Sequence, residues 1–362
     1  MTRPLPKATL KPDQTKKVTE ERSHSGIFLG EKCYWNPTTL SNGHILIIGM
    51  SGSGKTQTLK SISYELPKLF PNIRRVIIDY HGDQQLPDEV YYPLNMESPY
   101  GINPLTIDLD TKGGGPALQA IAVAAILRKA LTMGANQEGL VIEILTKCYK
   151  QQGIFQETPS TWNNKPPTFQ SLRDEIQYRI EGGCKESSKL ALKLAATFEY
   201  GIFTKPQPSL NLPLIRFDLS ALGKVPGLAA IASEAILKQL MDSHRIMGEI
   251  EGKEPRTYCF IDESKEVKGS KTVNIIAGDG RKYGLCICAG SQQIAEFSKE
   301  VIANTATKIL LMIDQTQVKA VSNTFRFSAN LVAQLQPLQA LVRMGSEGFQ
   351  TDIKPFYKRY QE

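Results

Sequence analysis

No stretch of this 362-residue chain approaches the roughly 18 consecutive apolar residues of a membrane-spanning helix. Its first residues are polar and basic and hold none of the apolar core of a secretory leader, so a cytoplasmic location without a membrane partner is expected. Histidine is scarce. The six cysteines, Cys33, Cys148, Cys184, Cys259, Cys286 and Cys288, are scattered, with no C-x-x-C pair and no His-rich segment beside them. That spacing offers no zinc site and reads as buried thiols. Cys286 and Cys288 alternate on an apparent strand, where they share one face as small core side chains. The excess of positive charge is modest at +7, which permits nucleic-acid binding without demanding it. Internal repeats and base-reading motifs are also lacking.

What the chain does have is Gly-Met-Ser-Gly-Ser-Gly-Lys-Thr at 49–56, a complete G-x-x-x-x-G-K-[ST] segment between the apolar run ending at Ile48 and a helical stretch. The backbone N–H groups of Gly49, Met50, Ser51, Gly52, Ser53 and Gly54 are expected to curl around phosphates, aided by the positive end of the helix dipole. Lys55 is expected to reach the β- and γ-phosphates, and Thr56 to hold Mg²⁺. The expected ligands are therefore ATP and Mg²⁺. A Gly/Ser-rich turn with an accidental Lys-Thr is the plain alternative.

Around this segment, short β-rich runs recur at 45–49, 75–79, 214–218, 258–262, 285–289, 308–312 and 340–343. Several are continuously apolar, as suits strands covered on both faces of a parallel sheet. Helical patterns lie between them, among them 116–131 behind Pro116 and 228–244 behind Pro226. The alternation predicts an α/β fold with a doubly wound, mostly parallel sheet flanked by helices. Residues 1–25, Pro-bearing and without periodicity, are expected to form a flexible N-terminal tail. The core is assigned to 26–100 and 210–350, a helical insertion subdomain to 101–209, and a C-terminal tail to 351–362.

The run Tyr258–Ile261 ends in Asp262 and Glu263. Two carboxylates at a strand end suit a second half of the site, with Asp262 near Mg²⁺ and Glu263 polarising the attacking water. An adjacent glutamate favours hydrolysis over transfer to a second substrate. Ser291-Gln292 follows the next strand, where Gln292 is either a sensor of the γ-phosphate or an ordinary loop residue. Arg281, in Gly280-Arg-Lys-Tyr-Gly284, is either an arginine that reaches a neighbouring subunit's nucleotide or a solvated basic turn.

In this order the motifs resemble the HerA/FtsK superfamily of P-loop ATPases, the HerA branch in particular. The matching segments are 42–56, Ile78-Asp-Tyr-His-Gly-Asp83, Ile102-Asn-Pro-Leu105, Phe217-Asp-Leu-Ser220, Ile261-Asp-Glu263, Gly280–Gly284, Ser291-Gln292 and Ile302-Ala-Asn-Thr305. They span most of the chain from about residue 26 to 345. The resemblance implies a RecA-like core in a homo-hexameric ring, with nucleotide between subunits and double-stranded DNA through the centre. It assigns Lys55, Glu263, Arg281 and Gln292 to catalysis, Thr56 and Asp262 to the metal, and Asp79 to the nucleotide site. It also makes Lys265, Lys268 and Lys271 candidates for phosphate-backbone contacts. HerA proteins usually carry a β-barrel ahead of the core, whereas about 25 residues precede it here, and the link from Glu263 to Arg281 is short for the family. The implied activity is a Mg²⁺-ATP-driven DNA translocase or helicase, paired with a nuclease or defence effector. A packaging or conjugative motor of the same superfamily is a variant of this reading, and a nucleotide-gated assembly protein that activates a partner without pumping DNA is the rival.

Overall fold

The apolar runs become strands in the order met along the chain. The computed structural model describes residues 26–361, and the N-terminal tail assigned to 1–25 lies outside them. The strands are β1 (Ile27–Gly30), β2 (Cys33–Trp35), β3 (Ile45–Ile48), β4 (Arg74–Asp79), β5 (Val90–Pro93), β6 (Leu214–Asp218), β7 (Thr257–Ile261), β8 (Leu285–Ser291), β9 (Thr307–Leu310), β10 (Gln339–Met344) and β11 (Glu347–Asp352). β1 and β2 form a small hairpin. The others make one nine-stranded sheet in the order β11-β10-β9-β3-β8-β7-β4-β6-β5. It is parallel from β9 to β5, and β10 and β11 extend it antiparallel.

Every residue of β3, β7 and β8 is buried, because the sheet is covered on both faces. Alternation sorts the side chains. Ile45, Ile47, Tyr258, Phe260, Cys286 and Cys288 enter one apolar core, and Leu46, Ile48, Cys259 and Ile261 the other. Cys286 and Cys288 therefore share a face, as their spacing predicts. Cys184 departs from the expectation of buried thiols: it is half-buried, because it stands at the start of a surface helix rather than on a strand.

The helices are α1 (Lys55–Leu69), α2 (Pro116–Ala130), α3 (Ala135–Gln151), α4 (Phe169–Glu181), α5 (Lys185–Tyr200), α6 (Leu228–Ile246), α7 (Lys271–Asp279), α8 (Lys299–Ala303), α9 (Val318–Phe325), α10 (Ala329–Ala333) and α11 (Phe356–Tyr360). α1 covers one face through Leu59, Ile62 and Leu66, beside the β1–β2 hairpin. α6 and α7 cover the other face, and α2 to α5 contribute to the same core there. These four helices fall within 101–209, and α7 occupies much of the short link between Glu263 and Arg281. Residues 351–361, assigned to a tail, hold the end of β11 and α11, whose Phe356 ring meets Tyr64 of α1 edge-on at 5.4 Å. Among the described residues no helix is long and apolar enough to cross a membrane.

Candidate active site

In a parallel sheet the C-terminal strand ends lie along one edge, and the strand order decides which loops meet there. The loops after β3, β4, β7 and β8 carry the motif residues. β8 lies between β3 and β7, which seats Gln292 between the phosphate loop and the two carboxylates.

The phosphate loop is held at its base by two strand ends: Gly49 N–H donates to the Ser291 carbonyl at 3.1 Å, and Met50 N–H to the Met312 carbonyl at 2.8 Å. Gly52 and Gly54 have φ of +77° and +105°, which a residue with a Cβ rarely adopts. A Cβ on Gly54 would also come within 2.6 Å of the Leu338 side chain, whereas one on Gly52 would meet nothing within 4 Å. Gly52 faces open space. Ser53 Oγ is buried with no partner among the described residues. Lys55 Nζ donates to the Met50 carbonyl at 3.3 Å, folded back over its own loop. Burial lowers the Lys55 pKa, while Asp262, Glu263, Glu296 and Asp83 push it back up.

Thr56 Oγ1 donates to Asp262 Oδ2 at 3.2 Å, and Gln84 Nε2 donates to the same oxygen at 2.5 Å. Burial raises the Asp262 pKa and Asp83 adds to the rise, while Lys55, Gln84 and His81 oppose it. Among the described residues no group of three or more His, Cys, Asp or Glu side chains could hold a metal by itself. A hydroxyl and a carboxylate bonded to each other are hard oxygen donors, and that pair suits Mg²⁺ shared with nucleotide phosphates.

Glu263 is 3% exposed and has φ 74° and ψ 67°. Its Oε2 accepts from Gln292 Nε2 at 3.2 Å and from His81 Nε2 at 3.4 Å, and Lys265 Nζ lies 3.7 Å from Oε1. The structure therefore brings together Lys55, Thr56, Asp262, Glu263 and Gln292. Arg281 is not with them. It is exposed, just ahead of β8, and its charge acts on His44 and Cys286 at the opposite end of the strands.

Asp79, expected in the nucleotide site, is fully buried with both oxygens taken by the backbone of 81–84 and by Arg216. Sequence reasoning missed Gln84 and His81. His81 lies within the Ile78–Asp83 segment that carries the resemblance but was given no role, Gln84 stands just beyond it, and the pairing of β4 with β7, which gives both their meaning, is not written in the local sequence.

Two family models match the chain. One, described as the central domain of the helicase HerA, matches residues 32–110. The other, described as a type IV secretion-system coupling protein DNA-binding domain, matches residues 228–333. No curated protein matches the chain by sequence. The fold is similar to that of VirB4 of Thermoanaerobacter pseudethanolicus, with a TM-score of 0.78 and 19% identity over 93% of this chain and 99% of that one. It is similar also to the bacterial conjugative coupling protein TrwBΔN70 in complex with sulphate, at TM-score 0.64 and 16% identity over 93% and 90% of the two chains. TrwB in complex with ADP and Mg²⁺ gives 0.58 and 17% identity over 87% of each. With one model on the phosphate-loop segment, the other on the carboxylate segment and a RecA-like sheet joining them, the chain is a P-loop ATPase of the HerA/FtsK superfamily.

Proposed function

We propose that this ATPase is a DNA translocase that works as a ring on double-stranded DNA, with the homo-hexamer as its assembly. The observation that carries the reading is the seat of Glu263: a buried carboxylate hydrogen-bonded to Gln292 and followed at once by a loop and helix start whose Lys265, Lys268 and Lys271 are exposed. A hydrolytic group and a basic surface loop are thus parts of one short segment, which lies inside the stretch matched by the DNA-binding model. Glu263 orients the attacking water and takes its proton, and the Gln292 amide holds the carboxylate in place. Lys55 leaves the Met50 carbonyl to neutralise charge on the phosphoryl oxygens. Thr56 and Asp262 hold Mg²⁺, which offsets phosphate charge when bound. Arg281, at the far end of β8, serves the nucleotide of the neighbouring subunit.

The test is ATP hydrolysis by the purified protein with and without long duplex DNA, with Lys55→Ala as the blank. Strong stimulation by DNA is expected. Turnover indifferent to DNA would overturn the translocase reading and leave a nucleotide-gated assembly protein. As to setting, the type IV coupling model and the folds shared with VirB4 and TrwB favour a conjugative or secretion-type motor. A nuclease or defence effector rests on the HerA resemblance alone.

A further inference from the structure

Asp79 ends β4 and has no oxygen left for a ligand. Its Oδ1 accepts the backbone N–H groups of His81 at 3.1 Å, Gly82 at 2.8 Å and Asp83 at 3.4 Å. Its Oδ2 accepts the N–H of Gln84 at 3.0 Å and Arg216 Nη1 at 3.1 Å. Arg216 is itself buried, and its Nε donates to Glu89 Oε1 at 2.8 Å. A carboxylate satisfied in this way folds residues 80–84 into a fixed turn and ties that turn to β6.

Two side chains leave the turn toward β7, the strand paired with β4. Gln84, 2% exposed, donates to Asp262, and His81 donates to Glu263. We infer that the 79–84 turn positions both active-site carboxylates, with Gln84 the positioning residue for Asp262 and His81 the positioning residue for Glu263. The inference rests on the roles proposed above for Asp262 and Glu263.

The chemistry needs such a hold. Asp262 is 4% exposed, so its orientation is set by the donors that reach it inside the protein. The Gln84 amide donor aimed at Oδ2 keeps that oxygen pointed beside Thr56. Removing a group that orients a metal ligand costs about 10–100-fold in metal affinity. Glu263 Oε2 receives two donors, Gln292 from the end of β8 and the half-exposed His81 from the turn, which together orient the carboxylate.

The experiment uses the full chain with ADP and with Mn²⁺ as a paramagnetic probe for Mg²⁺. Gln84→Met keeps the volume and loses the amide. It is expected to weaken Mn²⁺ binding in the ADP complex about 10-fold or more, with metal-free ADP binding and the melting temperature unchanged. On an Asp262→Asn background the same substitution is expected to have no further effect. His81→Ala is expected to lower kcat with Mn²⁺ affinity unchanged, and His81→Gln, which restores a donor, to recover much of the loss. Unchanged Mn²⁺ affinity in a folded Gln84→Met variant overturns the inference. So does an equal loss on the Asp262→Asn background. If Gln84→Met does not fold, Gln84→Asn, whose amide falls short of Asp262, takes its place with the same expectations. Asp262→Asn and Glu263→Gln are the controls: if both retain full turnover, the site reading fails rather than the positioning.

Discussion

At the residue scale, Glu263 shows what a site demands of its backbone. Its φ of 74° lies in the left-handed region, which costs a non-glycine residue on the order of 1 kcal/mol and persists only where the surroundings impose it. Here the surroundings are Gln292, His81 and Lys265. Glu263→Gln keeps the shape and removes the proposed base, so ATP binding by a fluorescent analogue is expected to survive while turnover falls about 10²–10⁴-fold.

His44 and His244 make a second residue-scale case. His44 Nδ1 accepts the N–H of Ile287 at 3.1 Å. His244 Nδ1–H donates to the Leu240 carbonyl at 2.6 Å, and its Nε2 accepts from Thr257 Oγ1 at 2.9 Å. Burial, more than the nearby arginines, pushes both imidazoles down to about 4. The unfolded chain takes up these protons from about pH 6.5 downward and the folded chain does not, so the associated stability is complete above that pH. It is lost as pH falls from 6.5 toward 4, by up to about 3 kcal/mol per histidine. Urea midpoints measured from pH 7.5 to 5 should fall, and the slope should flatten in His44→Asn; an unchanged slope would remove His44 from this account. The phosphate loop and the Asp-Glu pair were legible because their chemistry is contiguous in sequence. Gln84 and His81 were not, because their partners stand more than 170 positions away.

At the element scale, the legible strands were those buried on both faces. β3, β4, β6, β7 and β8 show runs of apolar residues that no helix pattern explains, and the runs at 308–312 and 340–343 became β9 and β10. β5, β11 and the β1–β2 hairpin went unread. β5 is four residues long and ends in Pro93, and β11 reads Glu-Gly-Phe-Gln-Thr-Asp with Thr351 its one buried residue. Edge strands such as β5 and β11 bury too little to mark themselves by hydrophobicity, whereas β1 and β2 are mostly buried but only four and three residues long. α11 was hidden likewise, because it is short and polar. Yet Arg359 on it donates to the carbonyls of Phe28 and Lys354, and Phe356 packs on Tyr64. Phe356→Ala is expected to cost about 1–2 kcal/mol, less than the loss of a fully buried ring. A thermal melt checks this, and an unchanged melting temperature would show that α11 is not held by that ring.

At the scale of the whole molecule, β8 separates two residues proposed for catalysis. Its seven residues span roughly 23 Å, with Gln292 beyond one end and Arg281 ahead of the other. A subunit cannot fold that arginine onto its own phosphate loop, and neither the arginine's motif nor its charge disclosed the separation before the strand order was known. If Arg281 serves a neighbour, Lys55→Ala and Arg281→Ala subunits, each inactive alone, should recover measurable turnover when mixed, because one interface type then has both an intact lysine and an intact arginine. No recovery on mixing, in the presence of assembled oligomers, would place Arg281 outside the catalytic interface.

The two borders of the sheet limit how copies of this chain meet. At one border β5 stops at a proline that has no N–H to offer. At the other, the segment around β11 is engaged by the hairpin: Thr351 Oγ1 donates to the Glu31 carbonyl, and Lys354 N–H donates to the Leu29 carbonyl. Strand-to-strand growth, the usual route from crowded subunits to fibres, thus meets a proline at one border and a hairpin docked beside the other. If the chain assembles as the proposed ring, its copies are thereby steered toward contacts made by side chains and loops, which can form and release without breaking a sheet.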